Sequence, residues 1–380
     1  MAEGRFVLEW TAQQKKLLAL EHESEKMQLA DKIVSLTAKD CEDAGLSLLS
    51  MSIESVTTAL FGRSCLSLIR SNSREVLKSF KVGDEVVIYC PKLRHTAEFT
   101  EVECVVSKLL PTSLQVICDE IDESIFDNSI RVDARANDST YRKYLNVLNS
   151  LESSVLPLTT LLFSKKEFQS ISLGVVHETK EVIPKRMDFI NQGLNKSQAK
   201  AVMSALEMKQ ITVIHGPPGT GKTSTVVELI LQSAALHHSI LVCAPSNVAV
   251  DNILERLIVA KGSTSSDKGK FSKNPLKFVR LGHPARLSPR SADYCLDSLV
   301  ASDDGTEIVS DVRADIDRLR KDLLSFKRKD GNKRREIQSE LRVLIKEAKK
   351  REDTVVKNIL RSADVVLCTC VTAAATFSRR

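Results

Sequence analysis

The chain has 380 residues, 42% of them hydrophobic and 27% charged, with a formal net charge of +6. That length suits two or three domains with a sizeable core. The 4% aromatic content turns any nucleic-acid contact toward the backbone rather than stacked bases, and no apolar run approaches the ~20 residues that span a bilayer.

The polar, mixed-charge stretch Met1–Trp10 argues against a signal peptide. A soluble protein of the cytosol or nucleus, with no membrane association, is therefore expected. Residues 12–36 are rich in Lys, Glu, Gln, Leu and Ala and lack Pro and Gly, which predicts a long helix. Leu17, Leu20, Met27, Ala30 and Val34 give it a loose apolar stripe. This helix fills an N-terminal segment, 1–43, read as a stalk.

Short β-prone runs follow in 44–136: Leu46–Ile53, Thr57–Ile69, Glu85–Cys90, Ala97–Lys108, Ser113–Cys118 and Ser129–Val132. Their number and spacing predict a small antiparallel barrel or sandwich. Ser139–Glu152, with Tyr141, Tyr144, Leu145 and Leu148 close to one face, predicts a helix that returns alongside the first. It opens a segment, 137–190, that ends as a linker.

From residue 191 to 380 the rhythm changes to that of a parallel α/β sheet. Helices are predicted at Ser197–Met208, Thr223–Ala235 and Val248–Ala260, and strands at Ile211–His215, Ser239–Ala244, Lys277–Leu281 and Ala363–Cys370. Ile211–His215 is read as buried, being continuous in Ile and Val. A helical hairpin interrupts this pattern at about 288–360. Its seams are Val312, Ile316, Leu319, Leu323 and Phe326, then Ile337, Leu341, Leu344 and Ala348, joined by a turn over Lys327–Arg335. Residues 311–351 hold fifteen Lys and Arg against eight Asp and Glu. Such a concentration suits a polyanion, and a solvated helical face accounts for it equally.

Nine cysteines, with no C-x-x-C pair among them, read as small buried hydrophobes in a reducing compartment.

The chemistry is concentrated in Gly216-Pro217-Pro218-Gly219-Thr220-Gly221-Lys222-Thr223. This string satisfies G-x-x-x-x-G-K-[ST], with an apolar run before it and a helix pattern after it. Glycines let main-chain N–H groups turn inward around phosphates. The following helix directs its positive end at the anion. Lys222 is placed to neutralise the β- and γ-phosphates, and the Thr223 hydroxyl to bind magnesium. ATP and Mg2+ are the expected ligands, on a RecA-like P-loop NTPase sheet.

Leu194-Asn195-Lys196-Ser197-Gln198, the Pro-Pro of the loop and Ala244-Pro245-Ser246-Asn247-Val248-Ala249-Val250-Asp251-Asn252 resemble motifs of the superfamily one RNA and DNA helicases of the up-frameshift type. So do Val279-Arg280-Leu281-Gly282-His283-Pro284-Ala285-Arg286-Leu287 and Leu367-Cys368-Thr369-Cys370-Val371. The Leu-Gly-His-Pro-Ala-Arg-Leu string, with a barrel ahead of it, is similar to the immunoglobulin-mu-binding branch of that family. The likeness is most specific from Leu194 to Leu287. It implies that Gln198 reads the adenine edge, which an amide can do with one donor and one acceptor. It also implies that Ser246 and Asn247 hold a strand phosphate, with Arg280, His283 and Thr369 along the same track. Ser246 and Asn247 read equally as a plain helix N-cap, and His283 as a turn histidine. In the family, barrel and hairpin clamp single-stranded or duplex DNA or RNA above the motor.

The resemblance implies an ATP-dependent 5′–3′ helicase or translocase, expected as a monomer. Family members follow the last of these strands with an Asp-Glu pair and a second motor domain bearing arginines, and the sequence stops at Arg380 before either. The chain on its own is therefore expected to bind nucleotide and to hydrolyse it poorly. The alternative is a truncated module that holds nucleic acid and ATP without turnover. The upstream run Leu114–Glu120 ends in Asp-Glu but is read as a barrel strand, not as the missing pair.

Overall fold

The computed structural model describes residues 2–70, 80–94, 100–119, 121, 129–153, 188–207, 211–264, 275–282, 290–302, 307–325 and 331–377. Helix α1 (Ala2–Ser35) leads into the short α2 (Ala38–Asp43), whose first turn is capped by the Thr37 hydroxyl accepting from the Asp40 amide at 3.2 Å. Six strands follow: β1 (Ser47–Thr58), β2 (Ser64–Arg70), β3 (Glu85–Tyr89), β4 (Val102–Leu109), β5 (Ser113–Cys118) and β6 (Ile130–Ala134). They close into an antiparallel barrel in the order β1-β2-β5-β4-β3-β6.

Alternation puts one face of each strand inside. In β4, Val102, Cys104 and Val106 are buried while Glu103 and Val105 face out. The interior is filled by Leu48, Met51, Leu66, Leu68, Ile88, Leu114, Val116 and Ile130. Closure needs local bending, which register slips in β1 supply between Leu48 and Met51 and between Ile53 and Ser55. Ser50 sits there at φ 55. The expected run Thr57–Ile69 is broken by a tight turn at Leu60–Gly62, so β1 continues through Thr58 and β2 begins at Ser64.

Helix α3 (Asp138–Ser153) returns antiparallel to α1. Thr11 donates to Glu152 at 2.9 Å and Lys15 pairs with it at 2.8 Å. His22 and Lys26 reach Asp138 at 2.6 and 3.0 Å, and the His22 ring stacks on Tyr141. The expected apolar stripe does not make this contact: Val34 is 85% exposed and Met27 59%. The reason is angular. The seam that meets α3 runs through residues 11, 15, 22 and 26, and the stripe at 17, 20, 27 and 34 lies roughly half a turn away.

Helix α4 (Lys196–Glu207) packs on α5 (Lys222–Ala235). A three-stranded parallel sheet is ordered β7 (Ile240–Ala244), β9 (Val365–Thr369), β8 (Phe278–Leu281). Helix α5 and α6 (Asn247–Thr264) cover one face through Leu231, Val250, Leu254 and Leu257 against Phe278, Val365 and Leu367. On the other face Val279, Leu281, Val366 and Cys368 meet Leu296 and Leu299 of α7 (Leu296–Ala301). Ile211–His215, expected as a buried strand, carries no assigned strand or ladder, and Val213 is 84% exposed. Apolar content makes a strand burial-prone, but a strand exists only where a neighbour takes its hydrogen bonds. Among the described residues none does.

Helices α8 (Glu307–Ser325) and α9 (Gly331–Ser362) pack antiparallel along Ile316, Leu323, Leu341 and Ala348, with Val312, Leu319, Ile337 and Leu344 beside them. Fully buried Glu352 pairs with Arg313 at 2.6 Å. Helix α9 begins at Gly331, inside the expected turn; Phe326, Lys327 and Arg328 lie outside the described residues.

This pair is fastened to the barrel by Arg320. Its guanidinium donates to the Thr58 hydroxyl at 2.7 Å, the Ser64 hydroxyl at 2.8 Å, and the carbonyls of Thr57 and Gly62 at 3.1 and 3.4 Å. The Thr58 hydroxyl in turn donates to Asp317 at 2.6 Å. Gly62 takes φ +68, and a Cβ there would come within 2.7 Å of Ile345 Cγ2. Arg320→Met is expected to remove about 2–3 kcal/mol from urea-unfolding stability, because buried acceptors lose their donor. Hydrogen exchange at residues 57–64 should rise with it. Unchanged exchange there would mean that barrel and helix pair stand independently.

Candidate nucleotide and strand-end site

The loop takes its shape from two glycines. Gly219 and Gly221 hold φ +81 and +79, a left-handed backbone that residues with a Cβ resist. Gly221 is also the N-cap of α5, and no side chain caps that helix. Its first-turn amides therefore have no capping side-chain acceptor, which leaves the positive end of the helix dipole without a side-chain partner. Within the loop, the Thr220 hydroxyl donates to the Pro217 carbonyl at 2.8 Å. The Lys222 ammonium donates to the carbonyls of Gly216 and Pro217 at 2.7 and 2.8 Å. The loop's described side-chain contacts comprise an ammonium, the hydroxyls of Thr220 and Thr225 and one amide, with no carboxylate. Such a donor set accepts a polyanion, and the Thr223 hydroxyl at the start of α5 is of a kind that binds magnesium.

The amide comes from Gln198. Asn195 opens α4 by accepting from the Gln198 amide N–H and the Ser197 hydroxyl, both at 2.9 Å. The Asn195 N–H donates back to Gln198 Oε1 at 3.0 Å. This reciprocal cap leaves Gln198 Nε2 to donate to the Thr220 carbonyl at 3.0 Å. A Cβ on Gly221 would stand 2.6 Å from that Nε2 and push the Gln198 amide aside, and the left-handed dihedral itself favours glycine there.

A second group gathers at the carboxyl ends of the strands. Ser246 is exposed, and its hydroxyl accepts from the Ala249 amide at 3.2 Å. Asn247 begins α6. Thr369 ends β9, beside Ala244 of β7. Its hydroxyl accepts from the Thr372 amide at 3.3 Å and so caps α10 (Cys370–Phe377). Ser246 and Thr369 serve as caps; the exposed Ser246 keeps lone-pair capacity for a further partner.

Arg280, expected on the same track, is different. It is fully buried, paired with Asp251 at 2.9 Å, and it donates to Asn247 Oδ1 at 2.9 Å and to the Leu281 carbonyl. A buried cation needs a buried anion. Asp251 supplies it from α6, so Arg280 holds Asn247 from behind and a strand phosphate cannot reach it. His283 lies outside the described residues. Beneath these strand ends Cys243 and Cys368 sit 4.0 Å apart. Burial pushes the Cys368 thiol up to about 12, which keeps it neutral and unreactive.

Two residues escaped the sequence reading. Asp251, the partner of Arg280, is one. Glu228 is the other: it is fully buried on α5, and its carboxylate accepts from the amides of Ile190 and Asn191 at 2.8 and 2.9 Å and from Gln232 Nε2 at 2.7 Å. The available signal was a single acid between Val227 and Leu231 on the apolar face of that helix.

Residues 193–379 match the family model described as an AAA domain. The chain is 33% identical over 372 residues to the DNA-binding protein SMUBP-2 of Mesocricetus auratus, covering 95% of this chain and 35% of that protein. It is 33% identical over 343 residues to the DNA polymerase alpha-associated DNA helicase A of Schizosaccharomyces pombe, covering 86% of this chain and 48% of that protein. Over 195 residues it is 34% identical to the ATP-dependent helicase NAM7 of Saccharomyces cerevisiae, covering 50% of this chain and 17% of that one. The chain thus spans between a third and a half of the length of the first two relatives.

Gly221→Ala should weaken a fluorescent ATP analogue by about tenfold or more, combining left-handed strain with displacement of Gln198. The circular-dichroism spectrum should stay as in the parent chain. Unaltered affinity would remove the loop from nucleotide binding.

Proposed function

The chain belongs to the superfamily one helicases of the SMUBP-2 type, and from that membership we propose that it forms the nucleotide- and nucleic-acid-binding part of an ATP-dependent helicase moving 5′ to 3′. The observation that carries this reading is the uncapped N-terminus of α5, with Lys222 folded over its loop and Gln198 joined to Thr220.

In this reading residues 191–380 form a RecA-like motor unit. Lys222 exchanges its two carbonyl partners for β- and γ-phosphate oxygens, a stronger charge-assisted contact. Gln198 offers the adenine edge one donor and one acceptor. Thr223 would hold magnesium together with phosphate oxygens, and the metal would supply positive charge against the triphosphate. Ser246, Asn247 and Thr369, at the carboxyl ends of neighbouring strands, would bind the backbone of a DNA or RNA strand. The stalk (1–43 and the start of 137–190), the barrel (44–136) and the inserted hairpin of α8 and α9 would clamp that strand from outside the sheet. Lys333 and Arg335 are exposed on α9 and favour a polyanion there. The protein would act as a monomer in the cytoplasm or nucleus.

The 380 residues by themselves are proposed to bind ATP more readily than they split it. Phosphoryl transfer draws ~10³–10⁵ in rate from arginine charge at the γ-phosphate, and the loop's described contacts include no arginine. With single-stranded DNA or RNA present, phosphate release by this chain should stay at background. Robust turnover that Lys222→Ala abolishes would contradict that.

Joint neutralisation of Lys327, Arg328, Lys333, Arg334 and Arg335 should weaken nucleic-acid binding. The slope of log affinity against log salt should fall by about 0.7–0.9 for each phosphate no longer neutralised. An identical slope would make this face an ordinary solvated surface.

A further inference from the structure

We infer that Glu228 is a positioning residue for nucleotide choice: it sets where the Gln198 amide stands relative to the phosphate loop. This role rests on the reading of Gly216–Thr223 as a nucleotide site and adds to it a basis for selecting the purine.

Glu228 lies six residues after Lys222 on α5, about 9 Å along the axis at 1.5 Å per residue. It is fully buried. Its two carboxylate oxygens are divided between neighbouring amides: Oε1 takes Ile190 N–H at 2.8 Å and Oε2 takes Asn191 N–H at 2.9 Å. Gln232, one turn further on, donates to Oε1 at 2.7 Å and to the Asp188 carbonyl at 3.1 Å. Burying a carboxylate is costly unless N–H groups satisfy it. Here three do, and two belong to the segment entering α4.

From that anchor the chain reaches Gln198 through consecutive polar contacts. The Asn191 side chain accepts from the Gly193 amide at 2.9 Å, and the Asn191 carbonyl from the Leu194 amide at 3.4 Å. Asn195 then caps α4 and orients Gln198, whose Nε2 meets the Thr220 carbonyl at 3.0 Å. The segment is thus tied to α5 at two places, at Glu228 and at the loop. One rigid helix carries both the phosphate-binding end and the anchor of the base-reading end. Without the Glu228 clasp, the segment ahead of α4 loses one of its ties to α5 and the position of Gln198 is less closely defined, while the loop keeps its own glycines and lysine.

Glu228→Gln replaces one acceptor oxygen with an NH2 group facing an amide donor, with almost no change in volume. Asn191→Ala keeps the main-chain N–H on Glu228 and removes the next link toward Gln198, the side-chain acceptor of the Gly193 amide, at an exposed turn. Unlabelled ATP, ITP and magnesium tripolyphosphate would compete against a fluorescent ATP analogue for the wild type and both variants, with thermal melts run in parallel. The wild type should prefer ATP to ITP, which lacks the adenine amine. Each variant should shrink that preference about fivefold or more, as expected for one missing or misplaced hydrogen bond. Tripolyphosphate competition should hold within about twofold. Preference unchanged in both variants, or ATP and tripolyphosphate weakened together, would overturn the inference. A wild type indifferent to the base would overturn it too, while leaving the phosphate loop standing. A wild type competed by neither ATP nor tripolyphosphate would refute the nucleotide-site reading itself.

Discussion

The architecture turns on a helix that begins without a side-chain cap. At the start of α5 the main chain is wound through two left-handed glycines, and no side chain caps the first turn. Lys222 lies across the same loop, held by two carbonyls that have only partial negative charge. Donors and cation are gathered at one point with no carboxylate among their described contacts. Exchanging neutral carbonyls for ionised oxygens strengthens every contact there. That imbalance is the ground for proposing a phosphate ligand at this site, and the surrounding elements serve to keep it in place.

Keeping it in place requires ties from different parts of the chain. Arg256 of α6 donates to the Ser224 hydroxyl at 3.0 Å, and Glu228 fastens the segment ahead of α4 to α5. At the strand ends Arg280 and Asp251 form a buried pair whose remaining donor steadies Asn247. Helix α10, which starts at the end of β9, also touches α3 of the stalk. Arg320 joins the helix pair to the barrel. The positions of the surface groups are thus set by charged side chains that are themselves mostly buried, each satisfied by hydrogen bonds within the protein.

Much of this was legible in the sequence, for local reasons. The phosphate loop is a contiguous string whose geometry follows from glycine and the helix after it. The barrel strands declared themselves through the number and spacing of short β-prone runs, and the seams of α8 and α9 through their four-three spacing. What escaped depended on partners remote in the chain. Ile211–His215 looks like a core strand because it is apolar, yet only a neighbouring strand could make it one. Arg280 looked like a ligand contact because its partner Asp251 lies 29 residues earlier in sequence and meets it only in the folded chain. Glu228 drew no notice because the amides that justify it sit 37 and 38 residues before it. On α1 the apolar face and the face that meets α3 are not the same, so its stripe carries no information about that contact.

The most direct measurement is a crystal structure of the 380-residue chain with magnesium and a non-hydrolysable ATP analogue. Triphosphate density should lie within the curve of Gly216–Thr223. Lys222 Nζ should have left the Gly216 and Pro217 carbonyls for phosphate oxygens, and the amides at the start of α5 should be directed at the phosphates. An analogue bound elsewhere, with Lys222 still on those two carbonyls, would contradict the assignment of this loop to nucleotide.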